Sequence, residues 1–266
     1  MVREIIAGTF LVLGALSGGS SPTVVESSGA TARPSGTHGQ HAVLVELFTS
    51  EGCSSSPPAD DLLRRIAGKQ TDHGTLLVGL SEHVTYWDHD GWKDPFGSDI
   101  ATERQSDYAR RFQLESVYTP QMVVNGESQF VGVDASALVQ AVQKAETEQA
   151  AMLTIATAKS DGNNVDAQVS IAGTLPAQGA DMFAVVAEDE TTQHVLRGEN
   201  AGRTLAHASV ARTFVKIGRV RTQGINSIEL KLPKELPASP GGGRHLVVWL
   251  QEPDAGHVLG VDSRAF

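Results

Sequence analysis

The sequence predicts a mixed α/β class: a first half in which strands and helices alternate, followed by a β-rich, sandwich-like second half. Two strand-length apolar runs, residues 43–48 (VLVELF) and 76–80 (LLVGL), flank a helical pattern opened by Pro57-Pro58, and proline is favoured in the first helical turn. Beyond about residue 150 no helical period recurs. Short apolar runs there are separated by turn residues such as Asp161-Gly162 and Gly241-Gly242-Gly243, the pattern of a two-sheet β structure. Hydrophobic residues make up 40% of the chain and charged residues 20%, enough for a real core.

Residues 5–16 (IIAGTFLVLGAL) form an apolar run after Arg3. It is too short to span a bilayer, which takes about 20 residues, and it matches the apolar part of an export signal. Residues 1–17 are therefore expected to be a signal peptide, with a second A-x-A-like cleavage site that would extend it to residue 32. Left uncleaved, the run would anchor the chain to a membrane; otherwise no membrane contact is expected. Residues 18–40, rich in Gly, Ser, Thr and Pro, read as a flexible tether. Residues 41–150 are expected to form the α/β domain and 151–266 the β-rich one.

In the first domain, Leu62, Leu63 and Ile66 continue the helix begun at Pro57-Pro58, and Gly68 stops it. A second helix is expected over 99–112, with polar residues on most faces. Met122 to Val124, Asn125-Gly126 and Phe130-Val131 read as a hairpin, because Asn-Gly supplies the turn. An alanine-rich helix over 135–149 closes the domain. In the second half, strands are expected over 153–158, 165–171, 182–187, 210–220, 228–232, 246–250 and 258–261.

The formal net charge is -10 and no basic run occurs, so nucleic acid is not an expected partner. The single cysteine, Cys53, excludes an internal disulfide and multi-cysteine metal sites. Its setting is informative. A strand ends, a short loop follows, and Cys53 stands at a helix start, where unpaired N–H groups favour an anionic sulfur. With Gly, Ser and Pro as neighbours, Cys53 is expected to be exposed rather than packed in the core. Thr119-Pro120 directly precedes a strand, a place for a cis-proline turn.

Together these pieces resemble the thioredoxin superfamily: strand, cysteine at a helix start, strand, then Thr-Pro before a hairpin. Four segments, VELFTSEGCSSSPPAD (45–60), HVTYWDHDGWKDPF (83–96), ERQSDYARR (103–111) and SVYTPQMVVNG (116–126), with RGENAGR (197–203), are similar to the exported, thioredoxin-like family called domain of unknown function 1223. The resemblance covers the chain from about residue 41 to its end. It implies export to the periplasm or outside a bacterial cell, and a redox-type site. That family usually reads Cys-Ser-Ser-Cys where this chain ends on Ser56, so the resolving thiol is missing. A lone thiol can form mixed disulfides but cannot swap an internal one.

The candidate catalytic residues are therefore Cys53 as nucleophile, Ser56 as a hydrogen-bond partner of its sulfur, and Glu46, either a buried proton shuttle or a solvent-facing strand residue. Thr119 and Pro120 would shape a substrate groove. Trp87 and Trp92, in the aromatic loop 83–96, would form a lid over it or else pack that loop. Expected partners are protein or small-molecule thiols, glutathione among them. No cofactor and no metal site are expected: Asp88-His89-Asp90 lacks ligand spacing, and His73, His194 and His207 read as surface or packing residues. The expected function is that of a monothiol reductase or isomerase, the alternative a binding module that has lost catalysis.

Overall fold

The structure is a computed structural model. It describes residues 41–148, 150–162, 164–231 and 243–266; the expected signal and tether, Leu232 and the turn at Gly241-Gly242 lie outside these. The first half runs β1 (Ala42–Thr49), α1 (Pro57–Ile66), β2 (Leu76–His83), a 3-10 turn (Asp88–Asp90), α2 (Asp99–Arg111), β3 (Gln121–Val124), β4 (Ser128–Val131) and α3 (Ala135–Glu146). The second half is β throughout: β5 (Ala151–Ser160), β6 (Asn164–Gly173), β7 (Ala180–His194), β8 (Thr204–Val220), β9 (Gly224–Lys231), β10 (Arg244–Gln251) and β11 (Val258–Ala265). Among the described residues no helix is long and apolar enough to cross a membrane.

Eight strands form one mixed sheet in the order β11-β10-β7-β8-β2-β1-β3-β4, and β5-β6-β9 form a second, antiparallel one. β1 pairs in parallel with β2 and antiparallel with β3, and all eight of its residues are buried. That explains its near-continuous apolar sequence, since a central strand covered on both faces has no solvent side. Val43, Val45 and Leu47 pack with Leu62 and Leu63 of α1 and with Leu138 and Val142 of α3. Residues of β5, β6, β7, β9, β10 and β11 build a separate apolar cluster.

At residue 150 the chain passes from α3 to β5, where a domain boundary was expected, yet strands from both halves share the large sheet. β8 spans 17 residues; it pairs antiparallel with β7 and in parallel with β2 through Ser81 and Val210. Such a junction depends on residues more than a hundred positions apart, and no local pattern encodes it.

Gly79 on β2 sits under the end of α1. A Cβ there would stand 2.6 Å from Ala67 Cβ and 3.1 Å from Leu63 Cδ1. Gly79→Ala should therefore destabilise the fold by about 1–3 kcal/mol, the usual cost of overpacking. Urea denaturation measures it; unchanged stability would show that α1 can move off the sheet.

Candidate functional site

β1 delivers the chain into a turn at 50–56, and α1 begins at Pro57. Cys53 N donates to Ser50 O and Ser56 N to Cys53 O, 3.1 and 3.2 Å, so the loop closes on itself before the helix starts. The Thr119-Pro120 bond is cis, and Thr119 O lies 3.7 Å from Cys53 Sγ, which donates to it. Trp87 Nε1 donates to Thr119 Oγ1 at 2.7 Å. A Cβ on Gly52 would stand 2.9 Å from Trp87 Cβ, so glycine there admits the tryptophan. Cys53, Thr119, Pro120 and Trp87 are thus brought together. Trp87 also packs with Tyr86 against Phe48, Val84, Tyr108 and Val123, so the aromatic loop is held by packing.

Three expectations change. Cys53 is buried, at 1% exposure, and loop 197–203 is bonded to the backbone of the cysteine loop. Asn200 Nδ2 donates to Glu51 O and Cys53 O at 2.8 and 3.0 Å, and Ser54 N donates to Glu199 Oε2 at 2.9 Å. Second, the serine against the sulfur is Ser55, whose Oγ is 3.1 Å from Sγ; Ser56 Oγ is buried without a hydrogen-bond partner. Third, Glu46 takes the buried one of its two expected settings, but as part of a different group. It pairs with Arg104 and accepts from Tyr108 OH at 2.6 Å. Strand alternation puts it on the face of β1 opposite Val45 and Leu47, which face α1. Arg104 also lies 3.7 Å from Glu82. Burial, then the neighbouring Glu46 charge, pushes the Glu82 carboxyl well above its usual range, although Arg104 opposes them.

Sequence reasoning missed a second polar group beside the cysteine loop. Glu51, Asp60, His83, Asp94 and His207 are all buried. His83 Nδ1 is 2.7 Å from Asp94 Oδ2, which also accepts Glu51 N–H at 2.8 Å. Burial pushes the Asp94 carboxyl up, but His83 and the N–H groups of Glu51 and Phe96 outweigh it and hold it down at about 2. His207 Nε2 is 3.2 Å from Glu51 Oε1, and Trp92 Nε1 donates to Glu51 Oε2 at 2.8 Å. Trp92 therefore serves this group and not the Cys53–Thr119 contact. Thr49 Oγ1 donates to Asp60 Oδ2 at 3.2 Å. Burial lowers the His207 imidazole, but Asp60 and Glu51 outweigh it and raise it to about 10. His207 is thus no surface residue, whereas His73 and His194 are exposed. Asp60, His83 and His207 each direct one possible ligand atom toward the others, all within 4.8 Å.

The comparisons place the chain. The family model described as protein of unknown function (DUF1223) matches residues 44–251. The chain belongs to this family. The match spans β1 to β10, so it includes Cys53, the Thr119-Pro120 turn and His207. A crystal structure of an Agrobacterium tumefaciens protein is similar at TM-score 0.65 and 25% identity, over 86% of this chain and 96% of that one. A sporulation control protein of Bacillus subtilis aligns at TM-score 0.30 and 12% identity, over 44% of this chain and 48% of its own, too weakly to carry an argument. No curated protein matches the chain.

Proposed function

We propose that this family member is an exported, thioredoxin-like thiol protein, with a β-sandwich-like second half, that exchanges disulfides through Cys53. The observation that carries the reading is the approach of Cys53 Sγ to Thr119 O beside the cis Thr119-Pro120 bond, at the start of a helix that follows a central strand. In the reaction, the Cys53 thiolate attacks one sulfur of a disulfide R–S–S–R′. Cys53–S–S–R forms and R′–S⁻ leaves. A second thiol from solution, glutathione or a protein thiol, then attacks the mixed disulfide, frees Cys53 and departs as the disulfide with R. Reduction and isomerisation of substrates are both open to a single thiol working this way. Export rests on the apolar run at residues 5–16.

The burial of Cys53 favours a second reading, a binding module that uses the surface around Thr119 and Trp87 without thiol chemistry. Labelling of the folded chain by an aromatic disulfide probe separates the two. The exchange reading expects stoichiometric labelling in native buffer that is lost in Cys53→Ser. Labelling that appears only after unfolding in urea would leave the binding module.

A further inference from the structure

We infer that Asp60, His83 and His207 form a binding site for a divalent transition-metal ion of the zinc class. Asp60 Oδ1, His83 Nε2 and His207 Nδ1 are buried, and each lacks a hydrogen-bond partner. A buried polar atom without a partner is costly and calls for an occupant. His207 Nδ1 stands 3.4 Å from Asp60 Oδ1, and each of the three residues offers one ligand atom within 4.8 Å of those of the other two. Ligands on a tetrahedral zinc with bonds near 2.1 Å stand about 3.4 Å apart, so one edge of the coordination figure already has its length.

The groups behind the ligands have the form that metal sites use. A metal-bound histidine gives its other ring nitrogen to a carboxylate, which fixes the ring and its tautomer. Here His83 Nδ1 meets Asp94 and His207 Nε2 meets Glu51, at 2.7 and 3.2 Å. The second oxygen of Asp60 is held by Thr49. The atoms turned away from the centre are bonded, whereas those turned toward it have only the long 3.4 Å ion-pair contact of His207 Nδ1 with Asp60 Oδ1, and His83 Nε2 has none. A proton on His207 would balance part of the charge of Glu51, Asp60 and Asp94, but it would leave His83 Nε2 without a partner. A cation at the centre satisfies all three atoms and offsets buried negative charge from three carboxylates.

Two imidazoles and one carboxylate leave a fourth position open, as in catalytic rather than closed structural zinc sites. Ser56, one helical turn before Asp60, carries a further buried oxygen without a partner. The inference does not depend on Cys53 reacting with thiols.

The test uses the full chain stripped with EDTA and titrated separately with Zn²⁺ and Co²⁺. One equivalent of each should bind, and Zn²⁺ should raise Tm. Bound Co²⁺ should show visible d–d absorption without a thiolate charge-transfer band, which keeps Cys53 out of the site. His83→Gln and His207→Gln should weaken binding by more than about 100-fold, and Asp94→Asn by about 10–100-fold through the orientation of His83. Cys53→Ser should bind as the natural chain does. Circular dichroism shows whether each variant folds, and titration of the natural chain decides the matter if they do not. A natural chain that takes up neither ion, or folded histidine variants that bind as tightly as it does, would overturn the site and leave His207 as an imidazolium between carboxylates.

Discussion

Arg104→Met should destabilise the fold by about 3–5 kcal/mol, the cost of leaving a buried charge without its partner. Arg104 is 6% exposed and stands between Glu46 and Glu82, both fully buried. Burial disfavours its charge, but Glu46, then Tyr108 and Glu82, outweigh this and hold the guanidinium firmly protonated. Its Nη2 donates to Tyr108 OH and Gln251 Oε1 at 2.9 and 3.1 Å. Its Cζ lies 4.9 to 5.4 Å from the rings of Tyr108, Phe183, Phe214 and Trp249. One side chain of α2 therefore ties β1 and β2 to β7, β8 and β10. Arg104→Lys keeps the charge but loses the planar fork and the stacking, so its loss should be clearly smaller. Urea unfolding of both variants measures the difference. Equal losses would show that fork geometry, and not charge, is what the site requires; a negligible loss in Arg104→Met would sink the ion-pair account.

That network shows where the sequence runs out. α2 was expected at its observed place, with polar residues on most faces, and Arg104 and Gln105 are indeed polar yet buried. Nothing within the helix says which polar residue turns inward, because the partners Glu46 and Gln251 lie 58 and 147 positions away. The hairpin was legible because its cause is local: Asn125 and Gly126 both take positive φ, 48° and 67°, as an Asn-Gly turn requires. The first strand and α1 were legible for the same reason, whereas the cis Thr119-Pro120 turn was legible only from its pairing with the cysteine segment. His207 was not. It reaches Glu51 and Asp60 across the β2–β8 junction, and its spacing from them carries no motif. Cys53 is not exposed as expected: its loop is held by contacts from Thr119, 66 positions away, and Asn200, 147 positions away. RGENAGR (197–203) resembles the family's downstream region, but no local rule places it against the cysteine loop.

The largest chemical effect should come from Ser56→Cys. In the natural chain a mixed disulfide at Cys53 has no thiol in the same molecule to attack it, and a serine hydroxyl does not do so at neutral pH. Once formed, the adduct should persist until an outside thiol arrives. Position 56 is well placed to change that. Ser56 N donates to Cys53 O at 3.2 Å, so the two residues lie on one tight turn, and Cα atoms this close can be bridged by a disulfide. Cys53 Sγ must turn away from Ser55 Oγ and Thr119 O, contacts that a bound substrate group would itself displace. Release of a bound aromatic thiol from Ser56→Cys, without added reductant, should be faster than from the natural chain by on the order of tenfold or more, and should leave an internal disulfide. The comparison is run in EDTA, because the introduced thiol would stand one helical turn from Asp60 and could take a metal. Mass spectrometry of the released protein identifies the new bond. Equal release rates would show that position 56 does not reach the sulfur, and the loss of the second cysteine would then not explain a long-lived adduct.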